Sequence, residues 1–246
     1  MSILKKIKQI VQQKKSHQQS DEASNNVVLS EDEFYKKLFT EDPLWNSSVP
    51  NAEEETRWRI IEQFLVQVKD FYKNKIEKEI AILDLGCGRG WLTKLLSNHG
   101  TAMGIEPVRP VVEYANKIFP ELNIINGTSK DLLQRGFKNK FDLVVSSEVI
   151  EHVPDEFKDG FIHDIKELLT ENGFAIITTP RKEVEKEWLK YCNENQPVED
   201  WITEAQLESY FKSQKFTPLS HKRFSIKPLS KAPEIEIYQL WLFQKN

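Results

Sequence analysis

Glu148, Glu151 and His152 place two carboxyl groups and an imidazole within one short segment of the chain. An imidazole titrates near neutral pH, so His152 could take the proton of a reacting hydroxyl. The three side chains could instead share a divalent cation that polarises such a hydroxyl, or Glu151 and His152 could serve only to start a helix. If the segment is helical, the i, i+3, i+4 spacing puts all three on one face. Further upstream, "ILDLGCGRGWL" (82–92) sets Asp84 ahead of Gly86, Cys87, Gly88 and Gly90. Glycines at that spacing let the main chain turn sharply and come close to a ligand. Glu106 ends the next apolar run, where a carboxylate can accept hydrogen bonds from both hydroxyls of a ribose.

Side-chain sizes discriminate among ligands for this turn. A triphosphate loop needs a Gly-Lys-Ser/Thr ending, but Arg89-Gly90-Trp91 follows instead. A dinucleotide fingerprint needs a small residue at position 91, which is Trp91. S-adenosylmethionine fits what remains: a sulfonium, an ammonium, one carboxylate and two ribose hydroxyls, with no diphosphate to cradle. Asp84 would lie near its ammonium end, Glu106 at its ribose, and its carboxylate would be met by N–H groups around the turn.

The elements that must position these residues are legible as an alternation of strand-like and helix-like runs. "AILDL", "AMGIE", "NIINGT", "FDLVVSS" and "GFAIITTP" are strands separated by helical segments, which predicts parallel pairing with helices on both faces. "FTPLSHKRF" and "IEIYQLWLF" follow without an intervening helix and predict an antiparallel hairpin at one edge. The expectation is therefore an α/β chain with a Rossmann-like, doubly wound, mostly parallel seven-stranded sheet and a C-terminal antiparallel hairpin.

Three segments follow from composition. Residues 1–29 combine "SILKKIKQIVQQKK", an amphipathic run with five lysines and no acid, with a polar linker; the helix predicted there could meet an anionic membrane or a partner, or simply fray. Residues 30–80 predict a helical cap, with Ser30 and Glu33 as a capping box and Trp58, Ile61, Phe64 and Leu65 facing inward. Arg57 could lie over the cofactor, but the simpler expectation puts it on a solvated face. Residues 81–246 form the cofactor-binding domain. After the fifth strand, "RKEVEKEWLKYCNENQ" reads as an inserted helix at the rim of an acceptor pocket, with Trp188, Tyr191 and Trp201 as its wall or as core. The formal charge of −4 and the pI near 5.9 argue against a broad nucleic-acid-binding field. Two cysteines, Cys87 and Cys192, and the lack of a long apolar run or a secretory leader predict a cytoplasmic protein.

"LDLGCGRG", "GIEP", "FDLVVSSEVIEHV" and "GFAIITTP" resemble, in order and spacing, the motifs of class I S-adenosylmethionine-dependent methyltransferases, over roughly residues 53 to 246. The resemblance implies that Asp84, Gly86, Cys87, Gly88 and Glu106 hold the cofactor. It also implies that Gly127, Thr128 and Ser129 approach the adenine, and that Ser147 and Glu148 approach the methionine part. The chain departs at Thr128-Ser129, where many relatives carry an aspartate for the adenine amino group, so a main-chain contact would have to replace it. The Glu148-x-x-Glu151-His152 pattern resembles two groups, the ubiquinone-pathway O-methyltransferases and the small-RNA 3′-end 2′-O-methyltransferases. Both imply metal-assisted O-methylation, with Glu148, Glu151 and His152 as ligands of an ion such as Mg. The RNA group has a further histidine ligand downstream, but no histidine lies between Pro180 and Trp201 here. That absence and the acidic charge favour a small-molecule acceptor. The rival expectations are an RNA 2′-hydroxyl as acceptor and a protein that binds the cofactor without turnover. Neither the acceptor nor the oligomeric state follows from the sequence.

Overall fold

A computed structural model describes residues 30–73, 79–192 and 196–246. The expectations for the basic segment and linker at 1–29 fall outside the described residues. Among the described residues no helix is long and apolar enough to cross a membrane.

The described residues open with α1 (Glu31–Glu41) and α2 (Ala52–Tyr72). Ser30 and Glu33 form the expected capping box on α1, and Asn51 with Glu54 forms a second on α2. The sheet then builds as β1 (Ala81–Leu85), α3 (Trp91–Leu96), β2 (Thr101–Glu106), α4 (Arg109–Ile118), β3 (Asn123–Asn126), α5 (Ser129–Gln134), β4 (Phe141–Ser147), α6 (Asp155–Leu168) and β5 (Leu169–Pro180). A short helix α7 (Glu185–Trp188), then α8 (Glu204–Ser213), leads to β6 (Phe216–Ile226) and β7 (Ile235–Lys245). The inserted helix is thus only one turn long, preceded by a 3₁₀ turn at Lys182–Val184.

The strand order is β3-β2-β1-β4-β5-β7-β6, with β1 to β5 parallel and β7 antiparallel to both neighbours. The expected seven strands and terminal hairpin are all present. Because side chains alternate along a strand, neighbours in sequence serve opposite layers. Ile82, Leu143 and Ile176 pack with Ile61, Phe64 and Leu65 of α2, whereas Leu83, Val144 and Ile177 pack with Ile162 and Ile165 of α6 and Phe211 of α8. Strand order reverses between β1 and β4, and a crevice opens there beyond the carboxyl ends of the strands.

The cap is bolted to the glycine turn by a buried ion pair. Arg89 donates from Nη1 and Nη2 to the two Glu54 carboxylate oxygens, both at 2.7 Å, and from Nε to the Ser47 carbonyl at 2.6 Å. Arg89 is 0 % and Glu54 1 % exposed. Removing one member of such a pair leaves a charge buried without its partner, so Arg89→Met should lower unfolding free energy by about 3–5 kcal/mol, read from urea denaturation.

Candidate active site

The glycine turn joins β1 to α3. Gly86 and Gly88 hold left-handed backbone angles, φ 79° and 50°. A Cβ at Gly86 would lie 2.5 Å from a Val149 methyl, and one at Gly88 would lie 3.2 Å from the Phe39 ring of α1. The bare backbone therefore makes room for the protein's own packing as well as for a ligand, and α1 rests directly on the turn. The four N–H groups of Gly86, Cys87, Gly88 and Gly90 are already used. Gly86 N and Cys87 N donate to Ile105 O, Gly90 N donates to Cys87 O, and Gly88 N donates to Glu106 Oε2 at 3.1 Å. The other oxygen of Glu106 accepts from Val108 N at 2.9 Å. Asp84 Oδ2 accepts from Thr93 Oγ1 at 2.6 Å.

Asp84, Gly86, Cys87, Gly88, Glu106 and Ser147 line one cavity of about 700 Å³ together with Glu148, Glu151 and His152. Phe34, Tyr35 and Phe39 of α1 line it as well, as do Trp188, Tyr191, Trp201 and Tyr238. The three aromatic residues at 188, 191 and 201 that the sequence offered as a pocket wall do line it.

Thr128 and Ser129 do not line this cavity. Thr128 caps α5, its hydroxyl bonded to the Asp131 carboxylate, and Ser129 Oγ donates to Asp164 Oδ2 at 2.7 Å. Both side chains are committed to the fold, whereas Pro107 and Val108 beside Glu106 do line the cavity.

The segment after β4 also differs from a helix face. Glu148 sits at φ 57°, a left-handed conformation that a non-glycine residue adopts at a cost of about 1–2 kcal/mol, and only Ile150–His152 form a 3₁₀ turn. Strain at such a position is characteristic of functional sites. It is offset here by Glu148 N donating to Thr178 O at 2.9 Å, while Glu148 Oε1 accepts from Thr178 Oγ1 at 2.7 Å. Glu151 Oε2 accepts from Thr179 Oγ1 at 2.9 Å, and its Oε1 lies 3.8 Å from His152 Nε2. His152 Nδ1 is 2.8 Å from the Val198 carbonyl, so it carries the proton and Nε2 is the basic nitrogen.

Arg57 is the residue that sequence reasoning placed wrongly. It is 3 % exposed and lines the cavity, its guanidinium 4.7 Å from the Tyr238 ring centroid. Nη2 lies 3.1 Å from Glu53 Oε1 and 3.4 Å from Glu148 Oε2, while the buried Nε has no hydrogen-bond partner. Its burial comes from Glu53, Glu148 and Tyr238, which stand on three separate elements, a convergence with no local signal.

The Glu148, Glu151 and His152 trio does not fit a metal. Among the described residues no group of three or more His, Cys, Asp or Glu side chains is placed to hold one. The physical reason is that Glu148 is turned to Thr178 and to the Arg57 guanidinium, which already supplies the neighbouring positive charge.

Burial sets the electrostatics. It pushes Glu148 up to about 8, against the lowering influence of Arg57, and Glu151 up to about 7. Burial also raises Asp84 and Glu106 to about 7 and lowers His152, keeping the imidazole neutral at neutral pH. A cationic ligand beside Asp84 reverses part of this, because it favours the carboxylate. Binding of S-adenosylmethionine at pH 6.5 should therefore release about one proton, and affinity should rise as pH increases through 7. Titration calorimetry in two buffers of different ionisation enthalpy reads this directly; equal apparent enthalpies would mean that the carboxylates are already ionised.

The methyltransferase-domain family model matches residues 57–221. The mitochondrial ubiquinone biosynthesis O-methyltransferase of Arabidopsis thaliana is 29 % identical over 177 residues, 67 % of this chain and 54 % of that protein. The ubiquinone biosynthesis O-methyltransferase of Pelagibacter ubique is 32 % identical over 130 residues, half of each chain. The chain spans about half the length of the curated relatives it matches. Among solved structures, magnesium protoporphyrin IX methyltransferase from Synechocystis PCC 6803, with bound S-adenosylmethionine, superposes with a TM-score of 0.62 at 12 % identity, over 90 % of this chain and all of that one. A Pyrococcus horikoshii OT3 protein gives 0.65 at 16 %, over 87 % and 99 %. At these identities the structural likeness concerns the fold.

Proposed function

We propose, for a chain that belongs to the methyltransferase-domain family and depends on S-adenosylmethionine, that it transfers the methyl group to a hydroxyl of a small, flat, largely apolar acceptor. The observation that carries this reading is a single cavity in which Asp84 and Glu106 meet a neutral, largely enclosed histidine and an aromatic wall. The ubiquinone relatives are named for O-methylation, which supports oxygen as the acceptor atom.

The chemistry is a one-step displacement. Methyl transfer from the cofactor's sulfonium to the acceptor oxygen would leave a thioether, and His152 Nε2 would take the hydroxyl proton. The cofactor supplies the electrophilic methyl group. Aromatic residues at 188, 191, 201 and 238 orient the acceptor and exclude water. Glu151, 3.8 Å from Nε2, stabilises the imidazolium once it forms. Arg57 receives the cofactor's one anionic group, its carboxylate: its guanidinium lines the cavity and keeps a buried unshared donor, whereas the N–H groups of Gly86, Cys87, Gly88 and Gly90 are already bonded.

An RNA acceptor is opposed by Glu31, Asp32 and Glu199, which line the same cavity and would repel phosphates. The test is transfer of labelled methyl from S-adenosylmethionine to matched hydroxyl, amine and thiol forms of one aromatic scaffold, with RNA oligonucleotides alongside. Label on the hydroxyl form is expected. Preference for the amine would overturn the oxygen assignment, and tight cofactor binding with no label in any acceptor would favour a protein that binds without turnover.

A further inference from the structure

Lys158, on α6, is fully buried, a rare place for an ammonium because desolvating it costs several kcal/mol unless oxygens replace the lost water. Its Nζ donates to the Asp200 carbonyl at 2.7 Å and pairs with Asp155. If this lysine served only to join α6 to the core, a methionine of similar length would do so without the desolvation cost. What its ammonium grips is main chain. Asp200 belongs to the irregular stretch 196–202, which runs across the mouth of the 3₁₀ turn that carries His152.

That stretch touches the turn at two points. Asp200 N donates to Glu151 O at 2.8 Å, and Val198 O accepts from His152 Nδ1 at 2.8 Å. The Val198 carbonyl decides which imidazole nitrogen holds the proton, since a carbonyl can only accept. Between residues 198 and 202 the peptide makes no helix or sheet ladder of its own beyond the single bridge of Ile202 to Arg181. Trp201 and Ile202 anchor its far end in the core, and the part that faces His152, residues 198–200, is held by the ties to Glu151, His152 and Lys158.

We propose that Lys158 is a positioning residue for the methyl-transfer reaction. By fixing the Asp200 carbonyl it holds Val198 O against His152, so that the proton stays on Nδ1 and the basic lone pair of Nε2 faces the acceptor. This rests on the reading of His152 as the general base.

The test uses the full chain, labelled with ¹⁵N at histidine, at pH 7.5. In the wild-type protein the His152 resonances should report a protonated Nδ1 and an unprotonated Nε2; the opposite pattern overturns the proposal without recourse to any variant. Lys158→Met should show a mixture of tautomers and a kcat lower by roughly tenfold to a hundredfold, with S-adenosylmethionine affinity within about twofold of wild type, because the defect is one of orientation. Asp155→Asn, which leaves the ammonium on the Asp200 carbonyl and alters a side chain 59 % exposed, should keep the wild-type tautomer. Lys158→Met with an unchanged tautomer and rate overturns the proposal. The base reading fails separately, if His152→Gln retains its rate; a dead His152→Gln beside an unimpaired Lys158→Met removes the positioning role alone.

Discussion

His152→Gln should lower kcat by about 10²–10⁴-fold while S-adenosylmethionine affinity stays within about twofold. The imidazole is bonded to the Val198 carbonyl and not to the glycine turn, so the residues expected to hold the cofactor keep their own contacts. What is lost is the acceptor for the hydroxyl proton. Three features tune that acceptor: the Val198 carbonyl fixes the proton on Nδ1, burial lowers the pKa below the ordinary histidine value, and Glu151 waits 3.8 Å from Nε2. The pH profile should bear the same imprint. Because His152 is shifted downward, the base is unprotonated throughout the neutral range. Glu151, pushed up to about 7, ionises across that range and then stabilises the imidazolium formed in the transition state. Rates limited by chemistry should therefore rise between pH 6 and 8, and Glu151→Gln should flatten that rise. Stopped-time assays with labelled cofactor at saturating acceptor would measure both, and a native rate in His152→Gln would move proton removal to another group.

The same buried carboxyls work against the cofactor-free fold. Asp84, Glu106, Glu148 and Glu151 hold protons in the folded protein at pH values where the unfolded chain has released them. The folded state thus binds more protons between the ordinary carboxyl range and about pH 8, and stability contributed by these groups is lost as pH rises through that window. A cation at Asp84 offsets part of this loss, so the cofactor should stabilise the protein most at the alkaline end.

Which parts of this site were legible beforehand depends on how local their causes are. The parallel pairing followed from strands separated by helices, and the hairpin from two strands joined without one, because periodicity and connection length are carried by neighbouring residues. The glycine turn and Glu106 were legible for the same reason: each is tied to the end of its own strand. Thr128 and Ser129 show how a local pattern can carry a second, structural meaning. Family position drew them toward the adenine, yet Thr128-x-x-Asp131 is itself a capping-box pattern, and the structure uses it as one. Glu148, Glu151 and His152 would share one face only if their segment were helical, and only Ile150–His152 form a 3₁₀ turn. The left-handed backbone at Glu148 turns its carboxyl toward Arg57 instead, an outcome set by a residue some ninety positions earlier and so invisible in the local pattern. Arg57 was assigned to solvent because charged runs on helices usually face it, and only the tertiary meeting of α2, β7 and the loop after β4 overrides that rule.

Arg57 therefore carries the second large prediction. If its unshared Nε–H and its charge receive the cofactor's carboxylate, Arg57→Met should weaken S-adenosylhomocysteine binding by about 10–100-fold, the value of a charge-assisted hydrogen bond in a buried site. A plain loss of affinity would be ambiguous, because Arg57 also lowers the Glu148 pKa and pairs with Glu53, so its removal perturbs the cavity electrostatically. The discriminating ligand is 5′-methylthioadenosine, which keeps the adenosine and the thioether but has no amino-acid portion. Calorimetry should find its affinity for Arg57→Met close to that for the wild-type protein, since every contact it makes lies toward Glu106 and Val108. Equal losses for both ligands would show that the guanidinium shapes the crevice without touching the carboxylate, and the anionic end of the cofactor would then have to be met by another donor.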